Sequence, residues 1–320
     1  MSLPRVSVIM AAYNAENYIS RAIDSVLQDK DVPLEIIVAD DCSSDSTADV
    51  VKKIADSDPR VKLLRNDTNR GPSYSRNRAI AVAKGKWLAV LDADDEYRPH
   101  RLMRLLHLAE ETGAEMVCDY LRPVDEHGII VKYQKMYPIV KHGQWMFLSP
   151  ADFVQADMPD IVGLKAGYLK PIIKRNVLNS KSIRYNENVR IGEDALLLFS
   201  CLIKGVSAVV TTESYYDYRQ TTISLTRHDS SENYSTLMKV NQKMSTMAAQ
   251  LAGKGIIALL NRRAELYECA VAYESFTRSL KKLRFIDAVR SIRFSTHCLS
   301  YFFKTFKQRI RMRMMHLNLW

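Results

Sequence analysis

Over its first 113 residues the chain alternates short apolar runs with amphipathic stretches, and that rhythm leaves few folds open to it. "RVSVIMAAY", "LEIIVAD", "VKLLRN" and "KWLAVLD" are rich in Val, Ile and Leu, as strands covered on both faces must be. Helical segments lie between them. Tyr18, Ile19, Ala22, Ile23, Val26 and Leu27 form one apolar stripe, with Asn14 as a candidate cap, and Val50, Val51 and Ile54 form a second. "GPSYSRNRAIAVAKG" is a third helix, closed by Gly85, and Pro99 suits the first turn of a fourth, which Gly113 ends. Such alternation predicts an α/β fold: a doubly wound, mainly parallel sheet whose ligands sit beyond the carboxyl ends of the strands.

Past Ala114 the period loosens. "AEMVCDYL" and "GIIVKY" read as strands joined through "VDEHG", Glu193 to Lys204 as a helix, and "VSAVVTTESYYDYRQ" as a late strand pair. From about Glu232 the pattern is helical. The chain therefore divides into an α/β domain over residues 1–230 and a helical region over 231–320.

Three strands end in polar clusters at one edge: "AAYNAEN", "ADDCSSD" and "LDADDEY". The last places Asp92, Asp94 and Asp95 within four positions. Carboxylates so crowded repel one another and need a cation. A hard divalent ion, Mg²⁺ or Mn²⁺, held by one or two of them and by phosphate oxygens of a ligand, meets that need. The plainer alternative is a set of turn-forming aspartates ahead of Pro99. On the second strand, Asp40 and Asp41 stand where a carboxylate accepts from a nucleobase N–H or a ribose hydroxyl. Neither a glycine-rich dinucleotide fingerprint nor a P-loop is present, so the nucleotide is held otherwise. Arg76 and Asn77, after a glycine turn, are suited to phosphate. Glu193 and Asp194 open a helix, where acids also simply complement the dipole.

Taken in order and spacing, "VSVIMAAYNAENYISRAIDSVLQ", "EIIVADDCSSDST", "NRGPSYSRNRAI", "WLAVLDADDEYRPHRL" and "RIGEDALLLF" resemble the family 2 glycosyltransferases of GT-A fold, over about residues 4 to 225. Within that family the chain is most similar to bacterial exopolysaccharide enzymes of the succinoglycan type, which add glucose to a lipid-linked oligosaccharide. The resemblance implies a metal-dependent, inverting transfer from a UDP-sugar to an oligosaccharide acceptor. It makes Ala11, Tyr13 and Glu16 part of the nucleotide pocket, Asp40 the uracil-facing acid, and Arg76 a diphosphate contact. Asp92 and Asp94 match the Asp-x-Asp, with Asp94 the metal ligand and Asp92 nearer the ribose or donor sugar. Asp194 matches the catalytic base. Arg219, Ser224 or His228 are candidates for donor or acceptor contacts. Two departures, "AAYN" at the first strand and Cys42 where the family often has glycine, remove no functional side chain.

Two rival readings use the same residues. A non-catalytic sugar-nucleotide-binding or scaffold protein of this fold would not need Asp92, Asp94 and Asp194 together. A phosphotransferase with Asp92 as nucleophile is disfavoured because Glu96 stands two beyond Asp94 and no companion lysine motif is placed.

Charge refines the picture. The net charge is +10, yet residues 231–320 carry sixteen Lys and Arg against five acids, so residues 1–230 sum to −1. In residues 285–320, Phe302, Phe303, Phe306 and Ile310 alternate with Lys304, Lys307, Arg309 and Arg311, a pattern fitting an anionic membrane surface as well as a packed helix with a basic face. No nucleic-acid motif accompanies the charge. Secretory and membrane-spanning runs are lacking, and Cys42, Cys118, Cys201, Cys269 and Cys298 are scattered, which predicts reduced thiols in a cytoplasmic protein peripheral to the inner face of the membrane.

Overall fold

The structure, a computed structural model, describes residues 4–131, 135–140, 142–161, 163–220, 230–251, 253–284, 286–287 and 298–307. The first half follows the sequence rhythm: β1 (Val6–Ala12), α1 (Ile19–Leu27), β2 (Leu34–Asp40), α2 (Thr47–Ser57), β3 (Val61–Arg65), α3 (Pro72–Val82) and β4 (Trp87–Val90). β5 (Glu96–Tyr97) and α4 (Arg101–Thr112) follow. β1 is parallel to both β2 and β4, and β2 to β3. That sandwiching explains why all of β2 and all but Ala11 of β1 are buried.

The second half inserts antiparallel strands. β6 (Met116–Val124), β7 (Trp145–Phe147), β8 (Ile172–Lys174) and β9 (Ala208–Arg219) complete the sheet among the described residues, in the order β3-β2-β1-β4-β8-β6-β9-β5, with β7 on β9. β8 runs antiparallel between β4 and β6, so it begins where β4 ends. Its approach therefore delivers residues just before Ile172 to the same edge as the polar clusters.

Four local expectations change. Asn14 does not cap α1. Five residues ahead of the first helical residue, it takes a left-handed conformation (φ 48°), which asparagine tolerates, and its side chain instead accepts from Ser44 N at 2.9 Å. Pro99 precedes rather than opens α4, because left-handed His100 (φ 65°) separates it from Arg101. The late strand pair is one strand, β9: its polar middle is a bulge against β6, between Asp119 and Leu121, and not a hairpin turn. "GIIVKY" gives only an isolated bridge from Ile130 to Val124, with Ile129 and Ile130 exposed; residues 132–134 lie outside the described residues.

Helices α5 (Pro150–Ala156), α6 (Arg175–Ser180), α7 (Glu193–Ile203), α8 (Ser230–Leu251) and α9 (Lys254–Lys281) complete the described elements, apart from a 3-10 turn at Ala166–Tyr168 and helical residues 286–287 and 298–307. α8 packs on α7 and α9 on α5, and Val240, Met244, Ala248, Leu260 and Ala270 join the core of the α/β part. Arg263 of α9, fully buried, bonds Asp157 at 2.5 Å. One expectation on the cysteines is overturned: Cys269 and Cys298 form a disulfide. The helical turn at 298–307 folds back on α9, with Tyr301 and Phe302 against Tyr273, and so brings together two thiols whose spacing carries no signal. Cys42, Cys118 and Cys201 are free. No helix among the described residues is long and apolar enough to cross a membrane.

Candidate active site

The carboxylates at the end of β4 do not stand alone. Arg76 of α3 and Lys170, in the segment leading into β8, reach the same point from opposite sides. The Arg76 guanidinium donates to Asp92 Oδ1 at 2.6 Å and to Glu193 Oε1 at 2.9 Å, and lies 3.5 Å from Asp194 Oδ1. Lys170 Nζ lies 2.6 Å from Asp92 Oδ2 and 2.5 Å from Asp194 Oδ2. Three acids from two elements thus close on two buried cations.

The electrostatics follow from this arrangement. Burial works against the charges of Arg76 and Lys170, but Asp194 and Asp92 beside them hold both well above their ordinary values. Burial likewise opposes ionisation of Asp92, and Lys170 and Arg76 overcome it, holding its carboxyl well below the usual range. Glu193 moves the other way, raised by burial and by neighbouring Asp194.

Asp94 lies outside this network. Burial, then the charge of Asp92, pushes its carboxyl up to about 6, and among the described residues no cation pairs with it. Asp95 is structural: 1% exposed, it accepts from Tyr216 Oη and from Arg219 N, both at 2.7 Å. Burial and Asp94 raise it well above the ordinary range. Arg219 is itself bound to Glu96 and to the carbonyls of Asp125 and Glu126. Ser224 and His228 lie outside the described residues.

Among the described residues no cluster of three or more His, Cys, Asp or Glu side chains forms a metal cage. The chemistry of Asp94 nevertheless fits a divalent ion. It is an oxygen donor, partly buried, repelled by Asp92 and without a cation of its own, which suits a hard ion that takes one carboxylate and completes its shell with ligand phosphates and water. The same repulsion yields a prediction for the metal-free protein. The folded carboxyl keeps its proton up to about pH 6 whereas the unfolded one releases it near 4, so stability is lost as pH rises through that interval and stays lost above it. Asp94→Asn is expected to raise stability at pH 7 by about 1–2 kcal/mol, less than the ~3 kcal/mol of the full displacement because water reaches the side chain, and to change nothing near pH 3.5. Thermal melts at the two pH values check it.

The opposite wall comes from the ends of β1 and β2. Ala11 is partly exposed and Tyr13 is 53% exposed. Glu16 accepts from Ser46 N at 2.9 Å, while Asp45 accepts from Glu16 N at 3.1 Å. Asp40 is fully buried and accepts from the Ser43 hydroxyl and, at 3.2 Å, from Ser43 N. Asp41 accepts from Asn66 Nδ2 and Gly71 N, both at 2.7 Å, and from Arg70 N. Gly71 needs the left-handed backbone (φ 87°) that starts α3 and aims Arg76 inward. The fold therefore joins Arg76, Asp92 and Asp194 directly, leaves Asp94 beside them, and places Ala11 and Asp40 on the strands next door and Tyr13 and Glu16 in the loop after β1. A cavity of about 420 Å³ between α1, β5 and β9, lined by Arg21, Glu96, Arg122 and Asp217 among others, shares none of these residues.

Sequence reading missed Lys170. Its signal was a single charge in the apolar run "AGYLKPII", directly before a strand. Only the antiparallel insertion of β8 shows why a lysine stands there.

The family model described as Glycosyl transferase family 2 matches residues 7–176. The chain is 38% identical over 216 residues to succinoglycan biosynthesis protein ExoO of Rhizobium meliloti, a match covering 68% of this chain and 61% of that protein. It thus spans about three fifths of that relative's length. It is 37% identical over 105 residues, 33% of this chain and 41% of the relative, to the UDP-Glc:alpha-D-GlcNAc-diphosphoundecaprenol beta-1,3-glucosyltransferase WfaP of Escherichia coli. Among solved structures, S. aureus TarS 1-349 in complex with UDP superposes with a TM-score of 0.64 at 18% identity, covering 90% of this chain and 88% of that one. The mannosyltransferase PcManGT from Pyrobaculum calidifontis, in complex with GDP-Man and Mn²⁺, gives a TM-score of 0.58 at 16% identity, covering 100% and 88%. These structures share the GT-A type fold.

Proposed function

Because the chain belongs to glycosyl transferase family 2, we propose that it is an inverting, metal-dependent hexosyltransferase that moves glucose from UDP-glucose to a lipid-linked oligosaccharide during exopolysaccharide synthesis. The observation that carries the reading is the meeting of Asp92, beside Asp94, with Asp194 around Lys170 and Arg76. It joins a donor-side acid to an acid at the start of a helix, at the carboxyl ends of β1, β2 and β4.

In this reading Asp194 is the base. It takes the proton of the acceptor hydroxyl as that oxygen bonds the anomeric carbon from the face opposite UDP. The bond from that carbon to UDP breaks, its electron pair leaves with the diphosphate, and an α-linked donor becomes a β-linked product. Asp94 would hold Mn²⁺ or Mg²⁺, which when bound supplies positive charge to the departing diphosphate. Asp92 faces the ribose or donor sugar. Ala11, Tyr13, Glu16 and Asp40 belong to the nucleotide wall, and Arg76, the diphosphate contact of this reading, also pairs with Asp92 and Glu193.

Succinoglycan-type relatives and the undecaprenol-linked acceptor of WfaP support the acceptor class. The test is UDP release from a panel of UDP-sugars with a prenyl-diphosphate-linked oligosaccharide, with Mn²⁺, with Mg²⁺ and with chelator. UDP-glucose is expected to turn over only with metal. Absence of metal-dependent turnover across the panel overturns the reading in favour of a non-catalytic sugar-nucleotide-binding protein.

The lipid-linked acceptor also gives the C-terminal region a task, at the inner face of the membrane. Leu283, Ile286, Phe303 and Phe306 are 76%, 69%, 73% and 58% exposed, with Lys281, Lys282, Arg284, Lys304 and Lys307 in the same segments. Apolar side chains set among cations suit an anionic bilayer surface; the rest of the basic tail, including Ile310, Met314 and Arg309, lies outside the described residues. Vesicles containing phosphatidylglycerol are expected to sediment the protein. The double variant Phe303→Glu, Phe306→Glu is expected to reduce the bound fraction more than tenfold, since each phenyl ring transfers about 1.5–3 kcal/mol into the bilayer. Equal sedimentation of both proteins removes this surface from the proposal.

A further inference from the structure

We propose that Lys170 is the positioning residue of the transfer reaction: its ammonium clamps Asp194 to Asp92, so that the base and the donor side of the crevice share one frame. The inference rests on the assignment of Asp194 as base. It adds a residue that neither the sequence motifs nor the family match, as read above, assigns a role.

The geometry of Lys170 is costly and specific. The residue is 4% exposed, and burying an ammonium is unfavourable unless its N–H groups are satisfied. It donates a hydrogen bond to Asp194, in the first turn of α7, and forms a close ion pair with Asp92, at the end of β4. No other described side chain bonds both Asp92 and Asp194 this closely; Arg76 approaches Asp194 only to 3.5 Å and spends its strong bonds on Asp92 and Glu193.

The backbone under the lysine is equally fixed. Pro171 follows it and biases it toward an extended conformation. Its carbonyl accepts from Arg101 Nη2 at 2.6 Å, and Arg101 is held by Asp119 in a pair with no exposed surface at all. A lysine needed only to fill space would not require a buried arginine on its carbonyl and two carboxylates on its tip. A base held this way abstracts its proton from a fixed point, and a displacement of about 1 Å costs on the order of 10²-fold in rate.

Lys170→Ala and Lys170→Met separate charge from packing, because Met keeps most of the alkyl stem. With UDP-glucose, Mn²⁺ and the prenyl-diphosphate-linked acceptor, both variants are expected to lose about 10²-fold in kcat while the KM for UDP-glucose and the affinity for UDP stay within about threefold. Ethylammonium is expected to restore at least tenfold to Lys170→Ala, and ethanol, neutral and of similar size, to restore nothing. If the alanine variant fails to fold, the kcat and KM of Lys170→Met decide alone. A kcat within threefold of the parent, parallel loss of UDP affinity, or equal rescue by ethanol overturns the proposal. Asp194→Asn is measured alongside. If that variant turns over normally, the base assignment has failed; if it is inactive while Lys170→Met is normal, only the role of Lys170 has failed.

Discussion

Asp194→Asn is expected to abolish sugar transfer and to leave nucleotide binding nearly intact. The amide keeps the shape of the carboxyl and presents an oxygen to Lys170 Nζ, which the parent bonds at 2.5 Å, but it has no basic lone pair with which to take a proton. A positioned general base contributes about 10²–10⁴-fold, so kcat should fall by roughly 10³, or about 4 kcal/mol in barrier. UDP affinity, measured by calorimetry with Mn²⁺, should change less than threefold, because the β1 and β2 wall and Asp94 are untouched. Turnover within tenfold of the parent would move the base elsewhere, and Glu193, on the same helix turn and bonded to Arg76, would be the next residue to test.

The largest stability effect is expected at Asp119→Ala. Arg101 and Asp119 are both wholly buried, with Nε–Oδ2 at 3.1 Å and Nη2–Oδ1 at 2.7 Å, and the guanidinium lies 4.3 Å from the Tyr97 ring centroid. Removing the acid leaves a wholly buried arginine without the carboxylate that pairs with it, which costs about 3–5 kcal/mol. That is a large part of the roughly 5–15 kcal/mol by which domains are stable. Denaturant unfolding should show the midpoint drop, whereas Arg101→Met with Asp119→Leu, which removes both charges, should recover most of it. The double variant should still be slow in transfer, since the Lys170 carbonyl has lost its donor. Folding and catalysis would then be separated at one site.

Much of this molecule was legible in the sequence because its first half is governed by local rules. A strand flanked by parallel neighbours must be apolar throughout, a helix covering it must carry a stripe, and the loops at one edge must hold the polar residues; "RVSVIMAAY" and "LDADDEY" satisfy those rules within a few residues. What escaped was set by distant partners. The late strand pair expected in "VSAVVTTESYYDYRQ" is one bulged strand because β6 pairs with β9 on both sides of the bulge. The Cys269–Cys298 bridge depends on a helix folding back, and Lys170 depends on β8 entering the sheet between β4 and β6. Three crowded aspartates call for positive charge, and a metal ion is only part of what meets that need. The structure supplies two protein cations for Asp92 and two hydrogen-bond donors for Asp95, and among the described residues pairs no cation directly with Asp94.

The lacing between the β1 and β2 loops bears on how the crevice takes its ligand. Asn14 N donates to Ser43 Oγ at 3.0 Å, Ala15 N to Thr47 Oγ1 at 2.7 Å, Ser44 N to Asn14 Oδ1 and Ser46 N to Glu16 Oε2, each at 2.9 Å. A loop already tied down loses little conformational freedom when a nucleotide arrives, and an immobilised side chain alone is worth about 0.5–1.5 kcal/mol. On the proposed assignment of this wall to the nucleotide, association is expected to be that of a pre-tied mould: modest in entropic penalty, small in heat-capacity change beyond the area covered, and intolerant of a base whose edge does not match the donors and acceptors it meets.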